Sequence, residues 1–168
     1  MSKPQSDNLI LRSSLRQAGF SGKLGLILST WFGTGLLPKA PGTFGTIATV
    51  PVVLGLGLIG NWSSVLVLAL VVVVAVWASG ISRKLFGQND PPAIVIDEVA
   101  GFMLTMIFLP LSWQVLVLGF FLFRFFDILK PFPIKRVEQI GGGLGIVADD
   151  LIAGLYAFVV AKFFILIF

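Results

Sequence analysis

Apolar runs of 15 to 25 residues, separated by short stretches rich in glycine, proline and charge, set the rhythm of this chain. Residues 1–22 are polar and basic, with apolar positions at Leu9, Ile10, Leu11, Leu15 and Phe20. They predict a cytoplasmic tail or a surface helix, with a disordered tail as the alternative. Residues 24–38 are apolar but short and are interrupted by Gly33, Gly35 and Pro38. Fewer than about 17 apolar residues predicts a re-entrant or interfacial segment, not a span. Five longer runs follow: Phe44–Gly60 with a kink at Pro51, Ser64 to about Ile81, Ile94–Leu109, Val115–Leu129 and Ala148–Phe168. The pattern predicts an all-α, compact polytopic membrane protein with about five transmembrane helices and the N-terminal re-entrant or interfacial segment. Its predicted organisation is a cytoplasmic tail or surface helix over 1–22 and a single transmembrane domain over 23–168.

Composition agrees with the pattern. Hydrophobic residues make up 57% of the chain and charged residues 12%, about half the share of a soluble domain. Lys3, Arg12, Arg16 and Lys23 before the first apolar stretch resemble the start of a signal peptide, but no small-residue cleavage site follows, so the segment is expected to be retained. The net charge of +4 is not arranged as a basic stripe with interleaved aromatics, so no nucleic-acid partner is expected. The basic residues report orientation instead. Arg83, Lys84, Lys130, Lys135 and Arg136 fall in one set of loops, whereas the opposite turns carry Trp62 and Trp113 and no charge. The basic loops are therefore expected to face the cytoplasm, with the tryptophans as anchors at the other interface.

The chain has no Cys and no His. Thiol nucleophiles, Cys or His metal sites and imidazole chemistry are excluded, phosphohistidine phosphatases among them. What remains is oxygen chemistry. Five of the eight acidic residues sit at the ends of apolar segments: Asp97 and Glu98 in IVIDEVAGFM, Asp127 in FRFFDILKP, and Asp149 and Asp150 in GIVADDLIAG. Such acids persist in a membrane protein where they pair, bind a cation or face a wet cavity. The topology puts all five at the cytoplasmic end of their spans, beside Lys39 and Thr43.

Each block has a plainer reading. Asp97 and Glu98 suit a helix N-terminus by its dipole alone. Arg124, Asp127 and Lys130, spaced i, i+3, i+6, are expected on one face, either to grip an anionic headgroup or as a structural ladder. Gly141 to Gly143 and Gly145 let the backbone approach a ligand, or serve a flexible connector. KAPGTFGT feeds a helix N-terminus, where free N–H groups, Gly42, Thr43 and Lys39 suit a phosphate; it is also a plausible turn by geometry. Taken together, an all-oxygen donor set suits Mg²⁺ or Mn²⁺, and divalent metal with cations and helix N-termini describes phosphoryl chemistry.

The blocks GTGLLPKAPGTFGT, IVIDEVAGFM, FRFFDILKPFPIKR and GGGLGIVADDLIAG, in order over about residues 30–160, resemble the phosphatidylglycerophosphatase A family of bacteria. The resemblance implies an Mg²⁺-dependent lipid phosphatase of the bacterial inner membrane, hydrolysing phosphatidylglycerophosphate to phosphatidylglycerol and phosphate. The acidic positions that match are Asp97, Glu98, Asp127, Asp149 and Asp150, expected as catalytic and metal-binding residues. Gly42, Thr43, Arg124 and Lys130 match as well and, with Lys39, are expected to bind the substrate phosphates. Thr46 stands where the family often shows Ser. Two rivals are weighed: a CDP-alcohol phosphotransferase, whose Asp spacing along consecutive turns is missing, and a divalent-cation transporter, which would place its acids near the bilayer midplane.

Overall fold

The computed structural model describes residues 18–167, and these fold into helices without any strand. The predicted tail over 1–22 lies mostly outside the described residues. Helix α1 spans Phe20–Ser29. It ends in a tight turn at Trp31, Phe32 and Gly33, all with positive φ, and a short 3₁₀ turn, Thr34–Leu36. Helix α2, Pro41–Ile59, starts with proline at its first turn, where the missing N–H costs nothing. Helix α3, Asn61–Phe86, closes at Gly87, whose left-handed backbone lets its N–H reach the carbonyls of Arg83 and Lys84. Helix α4 is Ile96–Met106, and α5 is Trp113–Leu129, whose first turn is capped by the Ser112 hydroxyl. A one-turn helix, α6 (Ile134–Val137), and a 3₁₀ turn over Glu138–Ile140 lead into α7, Gly142–Ile167.

Three helices, α2, α3 and α7, are long and apolar enough to cross a membrane. Two of the five expected spans are shorter. Helix α4 has 11 residues, about 16 Å of rise, and α5 has 17, about 25 Å, against a hydrocarbon core of about 30 Å. Before α4, Val95 leaves helical backbone and donates its N–H to the Ser29 carbonyl at 2.9 Å, and Pro110 follows the other end. Every residue of α4 except Glu98 and Leu104 is buried, so it forms the axis of the molecule and meets neighbours on all sides. Its flanks, Ile94 and Val95 before and Leu109 after, are buried as well but are not helical. Expected span boundaries also shift. Helix α2 begins three residues before Phe44, and α7 begins six residues before Ala148.

Glycine sets the closeness of packing at the centre. A Cβ on Gly154 would collide with the carbonyl of Gly101, and one on Gly101 would strike the carbonyl of Asp150 and the ring of Phe123. The backbones of α4 and α7 therefore touch, as at small-residue crossings between membrane helices. Thr105 fastens the crossing, donating to the carbonyl of Gly101 at 3.0 Å and of Gly154 at 3.2 Å. Around it, Val99, Phe102, Met103, Met106, Phe123, Ala153 and Ala157 form the main core. Many large apolar side chains on the outer faces stay exposed, among them Leu66, Leu70, Val73, Phe121 and Leu166. Outward apolar faces suit a lipid solvent.

Candidate active site

The Gly101–Gly154 crossing decides where the acids meet. Asp97 lies four residues before Gly101, and Asp150 four before Gly154, so each acid stands one turn from the contact, on the same side. Asp97 and Glu98 occupy the first turn of α4. Asp149 and Asp150 sit in the third turn of α7, deeper along their helix than the expected start at Ala148 implied. Carboxylate oxygens of Asp97, Glu98 and Asp150 lie within 4.8 Å of one another. Asp97 and Asp150 are almost fully buried, at 7% and 4% exposure.

A cavity of about 370 Å³ opens at this point, within the range of small-ligand sites. All five expected acids, Asp97, Glu98, Asp127, Asp149 and Asp150, line it. So do Gly42 and Thr43 from the start of α2, Arg124 from α5, and Lys130. Lys39 is brought near in sequence only: it is exposed in the loop before α2 and is not among the lining residues. Apolar walls come from Ile94, Ile128 and Ile146.

The expected ladder of Arg124, Asp127 and Lys130 divides into two sets of ion pairs. Arg124 Nη1 lies 2.7 Å from Asp127 and 3.5 Å from Glu98. Lys130 leaves the helix: it is the cap residue after α5, in left-handed conformation, and Pro131 prevents continuation. Its ammonium turns to α7 and meets Asp149 at 2.7 Å and Glu138 at 3.2 Å. Burial of Lys130 alone would lower its pKa, but its bond and charge attraction to Asp149, helped by Glu138, win and hold it above the ordinary lysine value.

The two Asp pairs are split by the same geometry. Asp150 faces Asp97 and Glu98, whereas Asp149 faces Lys130. Adjacent residues on a helix diverge by about 100°, which lets Asp149 and Asp150 part, whereas Asp97 and Glu98 both reach the cluster from the first turn of α4. The main-chain N–H of Asp150 donates to Asp149 at 3.0 Å, and that of Glu98 to Asp97 at 3.0 Å.

Polar capacity is left over inside the cavity. Glu98 Oε2 and Arg124 Nε and Nη1 are buried with no hydrogen-bond partner among the described residues; the contacts of Nη1 are near enough for ion pairing but misaligned for hydrogen bonds. A buried, unsatisfied carboxylate oxygen beside two more carboxylates fits a hard divalent cation. Gly42 makes room for this arrangement, since a Cβ there would fall on the Glu98 carboxylate and 3.0 Å from Arg124 Nη1.

Three features were not foreseen. Asp90, in the loop before α4, lines the mouth of the cavity. Partial desolvation there raises its carboxyl above the usual range; Lys130 opposes the rise, and Glu138 and Asp127 add to it. Glu138 binds Lys130, and its only sequence signal is a lone acid in a basic loop. Gly101 and Gly154 position the acids, and the repeated spacing Asp-x-x-x-Gly in DEVAG and DLIAG could have exposed them. Conversely, two of the four glycines expected near a ligand pack closely on protein: Gly143 meets Val76 and Gly80 of α3, and Gly145 faces the Glu138 carbonyl.

Residues 27–165 match the family model described as Phosphatidylglycerophosphatase A. A Haemophilus influenzae protein named phosphatidylglycerophosphatase A is 39% identical over 137 residues, covering 80% of this chain and 84% of that protein. The Escherichia coli K12 protein of the same name is 35% identical over 131 residues, covering 77% and 76%. A Bacteroides thetaiotaomicron protein, provisionally named phosphatidylinositol-3-phosphatase, is 31% identical over 145 residues, covering 81% and 90%. No solved structure matches the chain.

Proposed function

The chain belongs to the phosphatidylglycerophosphatase A family, and from that premise we propose that it hydrolyses the terminal phosphate of phosphatidylglycerophosphate in a Mg²⁺-dependent reaction at the cytoplasmic face of a bacterial inner membrane. One observation carries the reading: acids from three helices, the free N-terminus of a fourth and a half-buried arginine converge on one cavity. Under this reading α4 and α5 also carry the chain across, giving five passes, with a bilayer that thins or tilts around the short helices.

Roles follow from position. Asp97, Glu98 and Asp150 would hold the cation, which, when bound, offsets charge on the phosphoryl oxygens. Arg124, whose Nε has no partner among the described residues, would bind the phosphate, and Asp127 holds its guanidinium in place. The first N–H groups of α2, at Gly42 and Thr43, and the Lys130 ammonium would add donors. Water attacks phosphorus, a new P–O bond forms, and the bond to the glycerol oxygen breaks. Glu98, through the carboxylate oxygen not given to the cation, accepts the water proton and passes it to the leaving glycerol oxygen. The diester part of the headgroup and the acyl chains stay outside the cavity, in the lipid interface.

Purified protein with phosphatidylglycerophosphate in mixed micelles tests this. Phosphate release should require divalent metal, stop with chelator and resume with Mg²⁺, and Asp127→Asn should abolish it. Metal-independent release would end the cation assignment; no release from the wild type would end the phosphatase reading. Single turnover in oxygen-18 water should place the label directly in phosphate; label passing through an aspartate would instead make that carboxylate the nucleophile. A cation transporter would show metal flux with no phosphate release, and a phosphotransferase would need CDP-diacylglycerol. The Bacteroides relative makes headgroup choice a second arm: phosphatidylinositol-3-phosphate should be turned over more slowly than phosphatidylglycerophosphate.

A further inference from the structure

Asp149 looks in sequence like a twin of Asp150, yet it is the Lys130 ammonium that it meets, at 2.7 Å. Glu138, in the 3₁₀ turn before α7, meets the same ammonium at 3.2 Å from another direction. We propose that Asp149 and Glu138 are positioning residues, not metal ligands, and that together they hold Lys130 so that its remaining N–H serves the substrate phosphate. The proposal rests on the phosphatase reading and refines it.

The argument is one of donor number and freedom. A lysine ammonium has three N–H donors on a flexible stem, and two carboxylates occupy two of them. Lys130 lines the cavity, so the third donor is the one left for a ligand there. Without the two acids, the side chain would have to be ordered by the substrate itself, which weakens binding. The backbone supports the arrangement. Lys130 sits in left-handed conformation at the end of α5, which turns it from Asp127 towards α7. Ile134, almost fully buried, anchors the segment carrying Glu138, and the Tyr156 hydroxyl donates to the Phe132 carbonyl at 3.1 Å. Asp149, in contrast, falls outside the oxygen cluster formed by Asp97, Glu98 and Asp150.

Two readouts separate orientation from metal ligation: equilibrium Mn²⁺ binding followed by electron paramagnetic resonance, and the inhibition constant of inorganic phosphate. Asp150→Asn should weaken Mn²⁺ binding sharply. Asp149→Asn should leave Mn²⁺ affinity near the wild-type value and raise both KM and the phosphate inhibition constant about tenfold or more, as expected for loss of a charged, buried partner. Glu138→Gln, at a more exposed position, should raise the same two constants about threefold with little change in kcat. Lys130→Met should match or exceed Asp149→Asn, and Lys130→Arg should recover part of the loss. Loss of Mn²⁺ binding in Asp149→Asn equal to that in Asp150→Asn overturns the proposal, as does an unchanged phosphate constant in Glu138→Gln. Should Asp149→Asn fail to fold, Glu138→Gln alone decides. A wild type that releases no phosphate sinks the function itself, which is a different failure.

Discussion

The absence of a side chain at Gly42 controls the site as directly as any charge. The Glu98 carboxylate and Arg124 occupy the space where its Cβ would stand. Gly42→Ala should therefore lower kcat at least tenfold, since a displacement of the order of 1 Å at a catalytic group can cost about a hundredfold. Helix content should hold, because alanine suits the first turn; circular dichroism beside phosphate release checks both. The arginine differs from a generic cation. Arg124 spans Glu98 and Asp127 while keeping buried nitrogens unpartnered, a geometry that a point-charge ammonium cannot copy. Arg124→Lys should recover little of the activity lost in Arg124→Ala, and the loss should appear in KM as well as kcat. Recovery to near wild type would show that charge alone suffices.

Among the elements, the α4–α7 crossing matters most, because both halves of the acidic cluster hang from it. Gly154→Leu pushes a side chain into the Gly101 carbonyl, and the backbones must part. Overpacking of this kind costs about 1–3 kcal/mol. Thermal unfolding in detergent should fall accordingly, and Mn²⁺ binding should fall further than stability does, since Asp150 moves away from Asp97 and Glu98. A variant that unfolds earlier yet binds Mn²⁺ normally would detach the site from the crossing. The segment from Pro131 to Gly141 is the other decisive element. Expected as a basic loop, it contains α6 and a 3₁₀ turn and brings Glu138 to Lys130.

For the whole molecule, orientation and span number are open to a direct test, helped by the absence of native cysteine. Single-cysteine variants at Lys84 and Arg136 should react with an impermeant maleimide only from the cytoplasmic side. Variants at Asn61 and Ser112 should react only from the other. Labelling of Ser112→Cys from the cytoplasm would mean that α4 and α5 dip into the bilayer and return, leaving three crossings. The acids would still share a cavity, but its depth and access would change. Trp62 and Trp113, both exposed at helix starts remote in sequence from the acids, fit the five-pass arrangement.

How much was legible in the chain follows from the range of each signal. Helical content, the long apolar helices and the five acids that line the cavity were readable because they depend on local composition: apolar runs form helices in lipid, and a charge among them needs a reason. The family resemblance added the expected substrate class. The division of labour among the acids was not readable. Adjacent residues in DE and DD look equivalent along the chain, and only the angle at which α4 crosses α7 sends Asp150 to the cluster and Asp149 to Lys130. Helix length behaved likewise. Apolar sequence runs on through Ile94 and Leu109, but the helix is Ile96–Met106: Val95 leaves helical backbone and donates its N–H to the Ser29 carbonyl, and Pro110 follows the other end. Contacts between residues some 50 positions apart are settled by packing, and packing is a property of the assembled helices alone.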